Sequence, residues 1–416
     1  MKSWMDQAVV YVHAVLLAIV PSGCADNASD TEPAIASASL ALVNGTMIDG
    51  TGGDPVHDAV IVVRQGRIVA AGSVESVEVP GDAEIVDLNG GTILPGFINT
   101  HVHFVYDAEK LKAFAQAGVT TVRDMQDSQR MDWQWFDRRD ALLEDPLNAR
   151  LLAVGPMVTV PDGYPVCYDE EALTITSSEQ ARREIQKLID AGADAIKIAV
   201  ETGAAYFSET PIPTLSQEEV AAIVSVAHQN NIKVAAHITS AQDIPIFLAG
   251  GGDDIGHMVV DADLSDALVQ QIVDADVYWG PTMELWRIVQ QVYEQQFEGF
   301  QYYSFAVANL KKFVEAGGKV VLGTDFGGFW DNEFQLGMPM NEIESMLEAE
   351  MTPMQVIVAA TKNAAAACNR ETALGTLETD KIADILVVEG NPLEDIQSLN
   401  MPVLVVHNGV IIRNEL

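Results

Sequence analysis

Cysteine is almost missing from this chain, with three residues in 416. That excludes a scaffold held together by disulfides. Cys167 and Cys368, the two in the body of the sequence, stand near no His or Cys at metal-binding spacing, and both read as free or buried thiols. Basic side chains are few as well. Against 60 Asp and Glu there are 23 Lys and Arg, a formal net charge of −37. A surface of that sign repels phosphate backbones and argues against nucleic acid as a partner. The acidic residues are not gathered in one run, so their first reading is solvation, useful in salty surroundings. No glycine-rich phosphate loop follows a first strand, which counts against an open doubly wound sheet. Gly and Pro occur in ordinary amounts, so the chain is neither collagen-like nor disordered. What is present is 48% hydrophobic residues over a length that can bury a large core.

The first 24 residues read as a targeting segment. Lys2 precedes an apolar stretch from Val9 to Val20, followed by Pro21-Ser22-Gly23-Cys24. A basic start, about a dozen apolar residues and then small residues make a secretory signal, too short to span a bilayer. Small residues before a cysteine resemble a bacterial lipoprotein signal with Cys24 as the lipidated terminus, although Pro21 stands where an aliphatic residue is usual. A plain signal cleaved elsewhere is the alternative. Residues 25–39, small and polar, read as a flexible tether. The expectation is an exported, periplasmic protein whose membrane contact is limited to a lipid on Cys24.

Beyond the tether, both ends of the chain are strand-rich. Leu40 to Thr46, Ala59 to Arg64, Arg67 to Ala71 and Ala83 to Leu88 are short alternating runs separated by Gly-rich turns. The style returns at Ala383 to Val388 and Val403 to Ile412. Residues 40–93 and 371–416 are therefore expected to build one small composite β-sandwich domain. Between them, residues 94–370 alternate strand and helix. Apolar runs recur near Ile98, Val119, Leu151, Ala195, Val234, Ile255, Val277 and Val320. Amphipathic stretches lie between most of them, including one from Ser178 to Ile189 and one opened by Ser216 with Glu219 three residues later, a capping-box pattern. Eight buried parallel-type strands with intervening helices predict an α/β fold, a closed (β/α)8 barrel of the usual ~250 residues.

The chemistry-bearing residues fall at the ends of those strands. His101 and His103 close the first, and residues two apart on a strand share a face, where two imidazoles can take one cation. By itself the pair could equally be hydrogen-bonded core histidines. Lys197 lies inside the apolar run Asp194 to Val200; buried without a partner, a lysine is costly or loses its charge, unless it snorkels from a strand end. His237 and His257 each end a short strand, and Asp325 ends the last. Alone, Asp325 reads as readily as a cap or a turn residue. Barrel enzymes gather catalytic groups at the carboxyl ends of their strands, and coincidence across all of these positions is improbable.

These segments resemble the amidohydrolase superfamily. The likeness rests on Gly96-Phe97-Ile98-Asn99-Thr100-His101-Val102-His103, on Lys197, His237 and His257, on Gly323-Thr324-Asp325, and on the closing Lys381 to Val388 and Gly390-Asn391-Pro392-Leu393. It runs along nearly the whole chain after the tether. The stretch Gly118 to Asp124 and the surroundings of Lys197 look most like exported dipeptidases and N-acyl amino acid hydrolases of the imidazolonepropionase-like and prolidase-like groups. The resemblance implies two divalent metal ions, zinc first, with His101, His103 and Asp325 on one and His237 and His257 on the other. It implies that Lys197 is carboxylated by carbon dioxide and that the carbamate and a hydroxide bridge the metals. Catalysis would fall to Asp325, Lys197 and His257, with the hydroxide attacking a C–N carbonyl of a dipeptide or N-acyl amino acid and Asp325 exchanging the proton. Assembly into a homo-oligomer also follows the family.

Other readings stay in view. Deaminases of the family carry a Glu shortly after the fifth-strand histidine, whereas here the sequence is His237-Ile238-Thr239-Ser240. Phosphotriesterase-like enzymes usually lack the composite β domain. A non-catalytic binding lipoprotein would be expected to have lost ligands, and none is missing. Among the aromatics after barrel strands, Tyr164, Tyr168, Tyr206, Trp279 and Trp286 are candidates to line a small-molecule pocket; Tyr206, soon after Lys197, is the one expected to bind substrate. His228 and His407 read as a surface residue and a structural one.

Overall fold

Alternating apolar residues at both chain ends condense into strands: Leu40–Met47 (β1), Val56–Arg64 (β2), Arg67–Ser73 (β3), Glu84–Asp87 (β4) and Thr92–Pro95 (β5). In the computed structural model these pair with the C-terminal strands described below. The model describes residues 39–126, 133–206, 210–294, 296, 300–327 and 334–416, with the Tyr206 side chain excluded. The expected leader, the Cys24 lipidation site and all of the tether except Ser39 lie outside the described residues.

The middle of the chain follows with Phe97–Val102 (β6), Ala108–Gln116 (α1), Val119–Asp124 (β7), Trp135–Leu143 (α2) and Arg150–Ala153 (β8). An excursion with two short strands, Val158–Thr159 (β9) and Leu173–Thr174 (β10), precedes Ser178–Ala191 (α3) and Ile196–Ala199 (β11). Then come Gln217–Gln229 (α4), Val234–His237 (β12), Ile244–Gly250 (α5), Asp254–Gly256 (β13), Asp266–Asp274 (α6) and Tyr278–Gly280 (β14). Met283–Tyr293 (α7), Tyr302–Glu315 (α8), Lys319–Val320 (β15) and Met340–Glu348 (α9) come next, and a helical stretch from Pro353 to Ala367 completes this part. Each of the eight apolar runs read from the sequence coincides with one of these strands, from β6 to β15.

The result is an α/β fold whose central strands are parallel. β6, β7 and β8 pair in parallel, as do β10, β9 and β11 through β15 in that order. Backbone bonds also set β6 beside the end of the last strand: Thr100 N donates to Leu322 O at 2.8 Å and Asp325 N to His101 O at 2.9 Å. Parallel strands covered by helices are buried on both faces, which is why they are continuously apolar apart from the functional residues. The helices start where the sequence supplies caps. Ser177 accepts from Gln180 N ahead of α3, and Ser216 with Glu219 forms a full capping box ahead of α4.

The remaining strands, Ile385–Val388 (β16), Pro402–His407 (β17) and Val410–Asn414 (β18), join β1–β5 in one eight-stranded sheet ordered β18-β17-β16-β5-β1-β2-β3, with β4 on β1. The two halves meet at β5 and β16, antiparallel with Ile93 opposite Val387. The sheet carries the chain to Pro95, past the expected boundary at 93. Strand β1 is shared: residues 40–43 pair with β4 and residues 46–47 with β5, so one hydrogen-bonded ladder runs through the strands of both chain ends. Cross-strand pairs Leu40–Val63 and Leu42–Ile61 point into a small core of their own, closed by Leu377, Ile385 and Leu404. Among the described residues no helix is long and apolar enough to cross a membrane.

Candidate metal centre

The strand ends converge. His101 and His103 share a face of β6 and its continuation, with ring centroids 5.3 Å apart. His257 stacks obliquely on His101 at 4.7 Å, and His237 meets His257 edge-on at 4.5 Å. Asp325 Oδ1 lies 3.1 Å from His101 Nε2 and 3.1 Å from His103 Nε2. The ligand atoms of His101, His257 and Asp325 all lie within 4.8 Å of one another, close to the ~4 Å span that two ~2 Å metal–nitrogen bonds bridge. Lys197, on β11, reaches the same place. A Cβ built on Gly256 would stand 2.9 Å from His101 Cε1 and 3.0 Å from Lys197 Nζ. The structure therefore brings all six predicted ligands into one cluster, five of them buried and His103 partly exposed, with Lys197 within β11 and the others at or just past the carboxyl ends of β6, β12, β13 and β15.

Backbone conformation serves this convergence. His257 has φ 73°, Asp325 φ 65° and Thr282, just past β14, φ 49°. Left-handed geometry costs a side-chain-bearing residue roughly 1–2 kcal/mol, and such positions gather where function over-determines the chain. Neighbouring strands pin each one: His257 N donates to Gly280 O, Asp325 N to His101 O and Thr282 N to Gly323 O.

The imidazoles are also oriented from behind. His103 Nδ1 bonds the Gln126 carbonyl at 2.9 Å and His257 Nδ1 the Thr282 hydroxyl at 3.0 Å, so Nε2 of each is turned to the centre. Partners of this kind fix the tautomer of metal-binding histidines. Burial, reinforced by the Lys197 charge, holds His101 well below the ordinary histidine range, and burial also drives His237 and His257 down. Burial opposes a charge on His103 too, but the hydrogen bond and charge of Asp325 outweigh it and lift its pKa. Burial lowers Lys197 to about 7 in spite of Asp325 and Asp254.

Two atoms test whether a cation fits. Among the described residues, Lys197 Nζ and His101 Nε2 are buried and have no hydrogen-bond partner. The 3.1 Å approach of His101 Nε2 to Asp325 is a contact without hydrogen-bonding geometry. Buried polar atoms left unpaired are costly and rare. Here they sit among imidazoles and a carboxylate, a nitrogen and oxygen donor set suited to zinc. The residues fit a metal site.

One residue escaped the sequence reading. Glu201, fully buried just past β11, holds its Oε2 3.7 Å from His237 Nε2. The available signal was parity: four residues after Lys197 on extended chain, it points to the same side. Burial raises it to about 7 against the bonds from Thr239.

Of the aromatics, Tyr164 stacks on His237 at 4.0 Å and 14°, and the more exposed Tyr168 packs on Tyr164. Trp286 stands 6.2 Å from His257. Trp279 is fully buried and donates to the His257 carbonyl at 2.7 Å, a packing role. Ala204–Tyr206 form one 3₁₀ turn, and the Tyr206 side chain lies outside the described residues. His228 is half-exposed beside Asp253, and His407 is buried against the Pro146 carbonyl.

Comparison with known proteins fits this geometry. The sequence profile described as "Amidohydrolase family" matches residues 92–412. An imidazolonepropionase of Geobacillus sp. (strain WCH70) is 23% identical over 372 residues, covering 80% of this chain and 84% of that protein. The ochratoxinase of Aspergillus niger is 27% identical over 246 residues, 55% of this chain and 48% of that one. A crystal structure of a Xaa-Pro dipeptidase with bound methionine superposes with a TM-score of 0.75 at 24% identity, over 90% of this chain and 99% of the other. At that identity it shows a shared fold.

Proposed function

The chain belongs to the amidohydrolase family and is a hydrolase, and from that premise we propose that it cleaves an amide or peptide-like C–N bond in a dipeptide or N-acyl amino acid at a two-metal site. The scaffold is read as a closed (β/α)8 barrel with the site at the carboxyl ends of its strands. The observation that carries the reading is the unpaired, fully buried Lys197 Nζ beside the unpaired His101 Nε2.

His101, His103 and Asp325 would hold one cation, His237 and His257 the other, and Lys197 both. A lysine lowered to about 7 presents a neutral amine near neutral pH. That amine can form an N–C bond with carbon dioxide and release a proton, leaving an anion able to bridge two cations. When bound, the cations supply the Lewis acidity that activates water and polarises the scissile carbonyl. Asp325 carries the proton traffic. Its Oδ1 faces the centre, takes a proton from the attacking water, and delivers it to the leaving nitrogen as the C–N bond breaks. Tyr164, Tyr168 and Trp286 wall the histidine side of the site and would shield the reacting groups from bulk water. Deamination has less support, because the Glu201 carboxylate is already engaged by donors from Gly203 and Thr239.

The test is a panel of dipeptides and N-acyl amino acids on zinc-loaded protein, scored for released amine alongside metal content. Well under one equivalent of metal after loading, or no turnover across the panel with metal in place, rejects the reading.

A further inference from the structure

We infer that Glu201 is a positioning residue for the second cation, acting through His237. The inference rests on the two-metal reading above. Glu201 lies beyond the end of β11 and is fully buried. Its carboxylate is fixed on two sides. Oε1 accepts from Gly203 N at 2.7 Å, while Oε2 accepts from the Thr239 hydroxyl at 2.6 Å and from Thr239 N at 3.2 Å. Thr239 is two residues after His237, so the same carboxylate ties the loop after β11 to the chain leaving β12.

Held in this way, Oε2 stands 3.7 Å from His237 Nε2 while Tyr164 lies flat on the ring. Edge and face of the imidazole are therefore both constrained. An N–H on Nε2 is the tautomer a carboxylate at that edge favours, and it assigns the cation to Nδ1. A carboxylate behind a ligating histidine also makes the ring a stronger donor, and losing such a partner weakens metal binding roughly 10–100-fold. Among the described residues the outer nitrogens of His103 and His257 meet a carbonyl and a hydroxyl instead of a carboxylate. Glu201 thus acts on one cation and not on the other.

The distinguishing measurement is zinc titration, by chelator competition, of metal-stripped full-length protein and its Glu201→Gln variant, with circular dichroism to confirm folding. The wild type is expected to take two equivalents. The variant is expected to keep one at wild-type affinity and to bind the other roughly 10–100-fold more weakly. Two equivalents of unchanged affinity in the variant overturn the inference, and so does an equal weakening of both, which a general loosening of the loop would produce. A wild type that takes no cation removes the two-metal reading and this inference with it. Should the variant fail to fold, ¹⁵N-histidine NMR of the zinc-loaded wild type decides, with the His237 signal assigned by its loss in His237→Asn. A proton on Nε2 supports the assignment, and zinc on Nε2 overturns it.

Discussion

Two basic side chains are buried among the central strands, and their surroundings could hardly differ more. Arg123, on β7, is fully buried and fully engaged: Nη2 bonds the Asp254 carboxylate, Nε the Thr100 carbonyl at 2.8 Å, and Nη1 the Ala367 carbonyl at 3.4 Å. Lys197, on β11, is equally buried and has no hydrogen-bond partner among the described residues. A chain can bury a charge at tolerable cost when its donors are matched. Arg123 is matched by its own fold, whereas among the described residues the Lys197 amine is not. The first is architecture, and the second is the group on which the proposed metal site turns.

The sharpest way to break this contrast is to remove the unmatched group and its neighbour. Lys197→Ala and Asp325→Asn should each lower turnover by more than ~100-fold, the upper end of what losing a partner one step further out costs. Circular dichroism and the melting temperature should show a folded protein. Near-normal rates of amine release in either variant would refute the roles given to these residues.

Next in size is the same substitution made at both basic residues. Arg123→Met strands the Asp254 carboxylate in the interior and should cost about 3–5 kcal/mol in urea unfolding of metal-free protein. Lys197→Met removes a buried amine that has no partner to strand, so the metal-free protein should become more stable. Two losses of similar size would mean that Lys197 is matched after all.

How much of this was legible beforehand follows from the physics of each element. The eight central strands are continuous apolar runs, because parallel strands covered on both faces have no polar side to show. His101 and His103 announced themselves by parity on one strand. Lys197 stood out as the polar exception in a buried run. Glu201 carried only its parity with Lys197, a weak signal past the end of β11, and nothing in the sequence says that Thr239 and His237 lie across from it. The left-handed turns at His257, Thr282 and Asp325 were equally hidden, since none is glycine and the conformation is enforced by bonds from neighbouring strands. The sharing of β1 between β4 and β5 is likewise a register fact, decided by partners distant in sequence.

A second contrast sets the matched pair against buried acids nearby. Glu342, on α9, caps the start of α7 through Glu284 N at 2.7 Å, but its Oε1 and Glu284 Oε2 are buried without partners. Burial first, then the charges of Glu284 and Asp325, push Glu342 up to about 8, although the backbone N–H groups of Glu284 and Met283 pull the other way; Arg287 faces Glu284 from α7. A carboxyl raised in the folded state holds its proton longer there than in the unfolded chain. Its contribution is present in full below the ordinary value of 4.5 and is lost as pH rises through about 8. Between pH 5 and 8.5 the wild type should therefore lose about 4 kcal/mol relative to Glu342→Gln, read by urea unfolding at the two pH values. A pH-independent difference would show that Glu342 is ionised in the folded protein.

The smallest expected effect probes how tightly Lys197 is lodged. Gly256 and Gly280 lie side by side in register on β13 and β14, and neither has a positive φ. A methyl group therefore tests space alone at both. On Gly280 the nearest atoms would be Val321 Cγ2 at 3.5 Å and Thr100 Oγ1 at 3.7 Å, ordinary contacts. On Gly256 the added carbon would meet His101 Cε1, Lys197 Nζ and the Ala236 carbonyl oxygen between 2.9 and 3.1 Å. The lysine end can swing away, whereas the carbonyl belongs to β12 and cannot. Overfilling of this kind typically costs about 1–3 kcal/mol, and Gly256→Ala should fall near the lower limit while retaining less zinc. Gly280→Ala should match the wild type in both melting temperature and zinc content. If the two variants behave alike, Lys197 does not sit against the first histidine, and the contrast with Arg123 loses its footing.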